Sequence, residues 1–173
     1  MTKQITSAFG EAKYPHLNQP DTEFNSDGIF QVKLLVNKED AQKDIKIIDD
    51  VIKEQLIIEG KKQPNKTDQF KRAPLPYQEV DGKIQFHFKT KFKPSLVDHN
   101  LTSIADKNIW GGSILRCNYK PVGYYVAGTG LGCTLRLTGV QVKKLVEGSL
   151  GTHGFTEVEP EVSQPTQENY WWK

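Results

Sequence analysis

The stretch Ile109–Leu145 reads IWGGSILRCNYKPVGYYVAGTGLGCTLRLTGVQVKKL, and its alternation decides the fold class. Ser113–Tyr119 puts Leu115, Cys117 and Tyr119 on one face, with Ile114, Arg116 and Asn118 on the other. Leu131–Leu137 turns Leu131, Cys133, Leu135 and Leu137 inward and Thr134 and Arg136 outward. Near Gly139 the apolar parity shifts to Val140 and Val142, as a glycine-centred bulge would make it. Between the two runs lie Pro121, Gly123, Gly128, Gly130 and the pair Tyr124–Tyr125, which read as a glycine-rich connection. Tyrosines there, beside Arg116, Lys120 and Arg136, are poor core material. They suit the stacking of flat rings against the bases of a single-stranded polyanion.

The same period runs through the rest of the chain. A short strand is expected around Gln4–Phe9, followed by turn residues that include Pro15 and Pro20. Ile29–Val36 alternates, with Phe30, Val32, Leu34 and Val36 toward a core and Gln31 and Lys33 outward. A helix follows, with Asn37 as its cap and Asp40 in a box-like position. Ile45, Ile48, Val51, Ile52 and Leu56 form its apolar stripe, Asp49–Asp50 its solvated face, and Gly60 its stop. Residues 61–80 read as a long surface loop. Asp81–Gly82 is a hairpin-turn signal. After it, Lys83–Lys93 alternates throughout. Ile84, Phe86, Phe88, Thr90 and Phe92 share the core face, and Lys89, Lys91 and Lys93 set positive charge along about 15 Å of strand. Leu101–Ala105 reads as a further short strand.

Composition sets the bounds. The chain has 173 residues, 36% of them hydrophobic, and its mean hydropathy is −0.57. No apolar run approaches the roughly 20 residues of a membrane helix, and the N-terminus lacks a signal-peptide layout. These features point to a soluble intracellular protein. The four histidines are scattered and the two cysteines lack metal spacing, so buried, inert thiols are expected. No Walker loop is present, and Gly128–Gly132 precedes a strand, where a phosphate-cradling loop opens a helix. No nucleophile stands at a persuasive spacing from a base. The expectation is a non-enzymatic protein with no cofactor.

Charge is unevenly spread. Glu157, Glu159, Glu161 and Glu168 stand against Lys173 beyond residue 150, a net of −3; this leaves +5 on the first 150 residues of a chain whose total is +2. A basic body with an acidic end points weakly toward a polyanion. Short alternating strands, one amphipathic helix and long polar loops together predict a mainly β chain. The expected form is an OB-fold-like five-stranded barrel over residues 1–148, with a flexible, mildly acidic tail over 149–173. A competing reading is a β-barrel protein-interaction or virion scaffold module without nucleic-acid binding.

Several segments, in order, resemble the single-stranded-DNA-binding proteins of short-tailed lytic phages. They are ITSAFGEA at Ile5–Ala12, GIFQVKLLVNKED at Gly28–Asp40, GKIQFHFKTKF at Gly82–Phe92, and the run from Ile109 to Glu147. The resemblance implies sequence-independent binding of single-stranded DNA, strand annealing, a homodimer, and work in replication and recombination in the cytoplasm of an infected bacterium. It also implies a C-terminal tail that docks the phage DNA polymerase and helicase–primase. Here that tail would be Glu157, Glu159, Glu161 and Glu168 with Tyr170, Trp171 and Trp172. The family's stacking aromatic falls on Tyr124, an earlier tyrosine on Tyr119, and basic positions on Lys3, Lys89 and Arg116. The expected DNA-binding set is therefore Tyr124, Arg116, Lys120, Arg136, Lys89, Lys91, Lys93, Lys3, Lys33, Trp110 and Tyr119. The family's arginine before the first long strand has no counterpart, since Asp27 precedes Gly28.

Overall fold

Alternating apolar residues fold here as strands that curl until the sheet meets itself. The structure is a computed structural model that describes residues 4–23, 27–64 and 70–146. In chain order the elements are β1 (Ile5–Thr6), β2 (Gly10–Asp21), β3 (Ile29–Asn37), α1 (Lys38–Lys62), β4 (Tyr77–Val80), β5 (Lys83–Thr90), β6 (Ser95–Val97), β7 (Ile114–Val126) and β8 (Gly130–Lys144). Strand β2 pairs with β3, β3 with β5, β5 with β8, β8 with β7, and β7 returns to β2. This five-stranded ring is the expected OB-type barrel. Its pairings are antiparallel except β5–β8, which is parallel and spans Phe88↔Leu135 and Lys89↔Arg136. The first half of that β5 edge is taken by β4 instead, at Tyr77–Val80.

The core follows the alternation. Val32, Leu34, Val36, Phe86, Phe88, Leu115, Cys117, Leu135 and Leu137 are buried inside the ring. Phe86, Phe88 and Tyr119 form an aromatic chain with centroid separations of 6.1 and 5.2 Å. Helix α1 packs on β7 and β8 and buries Ala41 and Ile48. Its Asp44 is also buried. One carboxylate oxygen accepts the Tyr119 hydroxyl at 2.5 Å and the other the Ala8 N–H at 3.3 Å, so the charge is not left bare. Both thiols are free and buried as expected, and burial pushes each up, Cys133 to about 11. The parity change near Gly139 is also present: Asn118 pairs with Gly139 and Tyr119 with Leu137, leaving Thr138 as the extra residue.

Other expectations are corrected. Residues 10–21 form one long strand in spite of Pro15 and Pro20. Its register slips between Lys13 and His16 and again before Asp21, and these irregularities accommodate the prolines. Phe30 is half-buried, not in the core. Asn37 makes no side-chain cap bond, and α1 runs through Gly60 to Lys62. Asp49 accepts a hydrogen bond from the Tyr77 hydroxyl at 3.1 Å, so only Asp50 of that pair is solvated. The supposed loop 61–80 holds the helix end and β4. The turn after it is as read, with Asp81 and Gly82 both at positive φ (52° and 79°). Leu101–Ala105 is no strand; Ser103 makes a single bridge to Val97 of β6. Strand β5 stops at Thr90, and β7 continues through Tyr124 and Tyr125 to Val126. Lys3 and every tail residue, from Glu157 to Trp172, lie outside the described residues, as does the expected boundary at 148/149.

Candidate nucleic-acid interface

Strand register brings the expected cations together on the outside of the barrel. Lys89 on β5 lies opposite Gln31 of β3 and beside Arg136 of β8, and Arg136 in turn faces Lys120 of β7. Neighbouring strands are about 4.8 Å apart, so Lys89, Arg136 and Lys120 form a row of about 10 Å across three strands. Among the described residues, no acidic group lies within ion-pair distance of these three or of Lys91. Charges held side by side without counter-charges attract a polyanion.

Two cavities that share Lys89 and Thr134 extend this row along the strands. One is lined by Ile29, Thr90, Lys91, Phe92 and Arg136. The other is lined by Leu75, Pro76, His87, Tyr124, Thr129 and Cys133. Tyr124 pairs with Gly132, and its ring lies across that glycine: a Cβ there would come within 3.0 Å of the Tyr124 hydroxyl oxygen and 2.9 Å of Ala73. The missing side chain gives the ring its seat. Tyr124 thus stands on the strand and not beyond it, half-buried, at the groove's edge. Its neighbour Tyr125 packs edge-on against Phe70, at 5.1 Å. Pro74, Leu75 and Pro76 line the cavity at this end, and the segment 71–73 before them hydrogen-bonds to Leu131 through Lys71 and Ala73.

His87, which lines the groove, starts a polar relay. His87 Nε2 donates to Gln31 Oε1 at 2.7 Å, and Gln31 Nε2 donates to Asp21 Oδ2 at 2.8 Å. Burial, with Lys89 and Lys33 adding to it, pushes His87 down to about 4. At neutral pH its ring is a neutral donor and the positive charge belongs to the lysines. Lys33 sits beside this relay, opposite His87, with its ammonium 5.8 Å from the centroid of the exposed Tyr14 ring.

Not every expected residue joins the groove. Tyr119 is 0% exposed and is bonded to Asp44, so it belongs to the core and cannot stack a base. Strand β5 ends before Lys91 and Lys93, so the in-register trio of lysines does not exist. Lys91 still lines the groove, but Lys93 lies in the connection to β6. Trp110 lines a separate cavity with Pro15, Leu17 and Asn108. Arg116 lines another, among Thr6, Asn118 and Gln141; its Nε donates to Gln141 Oε1 at 2.9 Å and its guanidinium lies 4.7 Å from the Phe9 centroid. Sequence reasoning missed Phe92, His87 and Leu75 as groove residues. For Phe92 the signal was Pro94, which interrupts a strand pattern. Among the described residues, no three His, Cys, Asp or Glu side chains are placed to hold a metal ion. Among the described residues, no helix is long and apolar enough to cross a membrane.

No protein-family model and no curated protein matches the sequence. Solved structures do match. The chain is similar to gp2.5, a single-stranded DNA-binding protein encoded by bacteriophage T7, at 24% identity and a TM-score of 0.72, over 90% of this chain and 98% of that one. It is similar to the single-stranded DNA-binding protein of bacteriophage Enc34 in complex with ssDNA, at 21% identity and a TM-score of 0.63, over 82% of this chain and 86% of that one. The same Enc34 protein without its C-terminus aligns at 19% identity and a TM-score of 0.60, over 84% of this chain and 88% of that one. These neighbours are phage single-stranded DNA-binding proteins, as the resemblance of the sequence segments implied, and they share this fold.

Proposed function

We propose that this chain binds single-stranded DNA without sequence preference, on the outer face formed by β3, β5, β8 and β7. The observation that carries the reading is the row Lys89–Arg136–Lys120, free of ion pairs among the described residues and bordered by the Tyr124 ring. Cations track phosphates, and a ring stacks any base, because every base has a π-face. The likeness to two phage proteins named for single-stranded DNA binding, one of them holding ssDNA, supports the same reading. In this reading residues 1–148 are the binding domain. Residues 149–173 are an acidic tail that competes for the groove and docks the phage DNA polymerase and helicase–primase. The protein works as a homodimer in phage DNA replication and recombination, in the cytoplasm of the infected host, where it protects single strands and promotes their annealing. Lys33 lies close enough to contribute a phosphate contact, while Arg116 and Trp110 would meet DNA only along a longer path.

One observation favours the competing protein-interaction reading. Ile57 and Ile58 of α1 are exposed, beside a cavity lined by Ile5, Ile47, Val51 and Val122. Fluorescence anisotropy of a labelled oligo-dT, titrated at two salt concentrations, decides between them. Binding that weakens with salt is expected; no binding at low salt leaves the interaction module as the better account.

A further inference from the structure

We propose that Phe92 is a second base-stacking platform, so that the bound strand is held at two rings with the phosphate-binding Lys89 between them. The inference rests on the single-stranded DNA reading above and adds to it a residue, a path and a minimum footprint.

By alternation Phe92 belongs inside the barrel with Ile84, Phe86 and Phe88. Instead the chain bends at Lys91 and Phe92, and the ring stands 79% exposed. The bend is held from within. Thr90 Oγ1, itself buried, accepts the Phe92 N–H at 3.1 Å, and Pro94 is buried just beyond. The ring is therefore turned outward by a built turn. It lines a cavity of about 390 Å³ with an apolar side at Ile29 and cations at Lys89, Lys91 and Arg136. A flat, greasy surface ringed by positive charge fits a planar group carried on an anionic chain, which is a nucleobase on a phosphodiester backbone. A purely apolar partner would have to strip water from three charges to reach the ring.

The spacing suits one strand. Tyr124 sits over Gly132, while the Phe92 cavity reaches Arg136, four residues further along β8. Four residues of strand are about 13 Å. At about 3.4 Å per stacked nucleotide that is roughly four nucleotides, the lower end of what one OB barrel covers. Lys89 and Thr134, common to both cavities, lie between the rings. The strand accordingly runs along β8, crossing the cation row near its middle.

The test is oligo-dT binding by the full chain, with F92A, F92W and Y124A compared at several salt concentrations. F92A should keep the wild-type melting temperature, because the ring is exposed, and should bind a twelve-nucleotide oligo-dT about tenfold more weakly. Its slope of affinity against salt should match wild type, since a phenyl ring neutralises no phosphate, and F92W should restore binding. If F92A binds as wild type does while Y124A is weakened, Phe92 is no platform and the DNA reading stands without it. A reduced salt slope in F92A would also overturn the proposal, because the ring would then act only by placing its neighbouring cations. If wild type itself fails to bind, both readings fall.

Discussion

Salt dependence is the most direct measure of the groove, because its size follows from counting charges. Lys89, Lys91, Lys120 and Arg136 line or cross the groove with no acid in ion-pair range among the described residues. If each neutralises one phosphate, the slope of log affinity on log salt is about −2.8, from about −0.7 per phosphate on a single strand. Affinity should then fall about fiftyfold between 50 and 200 mM salt. Lys89→Ala removes the cation at the β5 end of the row and should bring the slope to about −2.1, whereas Lys89→Arg keeps the charge and should keep the slope. Lys53→Ala, an exposed cation on α1, serves as the control with the wild-type slope. The assay is anisotropy of a labelled oligo-dT at four or five salt concentrations, with equal occupancy at the end of each titration. A slope near zero in the wild type would refute the phosphate track. An unchanged slope in Lys89→Ala would show that the row is not where the phosphates lie.

Three further outcomes test other parts of the structure. Tyr119→Phe leaves one Asp44 oxygen buried without its hydroxyl donor, so it should cost about 1–3 kcal/mol and lower the melting temperature by several degrees, with oligo-dT affinity intact; an unchanged melt would count against that bond. His87, held at about 4 in the fold against an ordinary 6.5, takes up its proton more readily in the unfolded chain. Its contribution is therefore complete above about pH 6.5 and is lost as pH falls toward 4. The ring keeps some water contact, which limits the effect to about 1–2 kcal/mol. Denaturant midpoints at pH 7 and 4.5 should accordingly drop less for His87→Gln than for wild type, and parallel drops would refute the assignment. Deleting Gly151–Lys173, which carries a net of −3, should tighten oligo-dT binding most at low salt; equal affinity would argue against tail competition.

The barrel was legible because its inward residues keep strict period two. Val32, Leu34 and Val36, then Leu115, Cys117 and Tyr119, then Leu131 to Leu137 are each buried where alternation put them. Parity also read Thr134 and Arg136 correctly as outward. What it could not see was where a strand stops or persists. Phe92 fits the alternation perfectly, but the backbone turns before it, and only the Thr90 hydroxyl and Pro94 hint at the turn. Pro121, Gly123 and Tyr124 suggest a loop, yet all three lie in β7 because β8 supplies a full-length partner from Val126↔Gly130 onward. Strand β2 was missed for the same reason: Pro15 and Pro20 are local breakers, overridden by pairing with β3 and β7. The site inherits these errors. Lys89, Lys120, Arg136 and Tyr124 were named from local pattern. That three of those cations stand in one row depends on a parallel β5–β8 contact between residues 47 apart, which no local pattern encodes.

That same contact carries a cost for the empty protein. The ring closes between β5 and β8 through two residue pairs, and one of them sets Lys89 directly beside Arg136, with Lys120 on the far side. Like charges placed opposite one another weaken strand pairing. This seam, as short as that between β2 and β7, is thus also self-repelling, and backbone amides there should open to solvent sooner than those of the long β7–β8 hairpin. An anion laid across the row cancels the repulsion and holds both strands. Occupancy and barrel closure are therefore linked: whatever neutralises the row also tightens the fold, and the melting temperature becomes a report on what is bound.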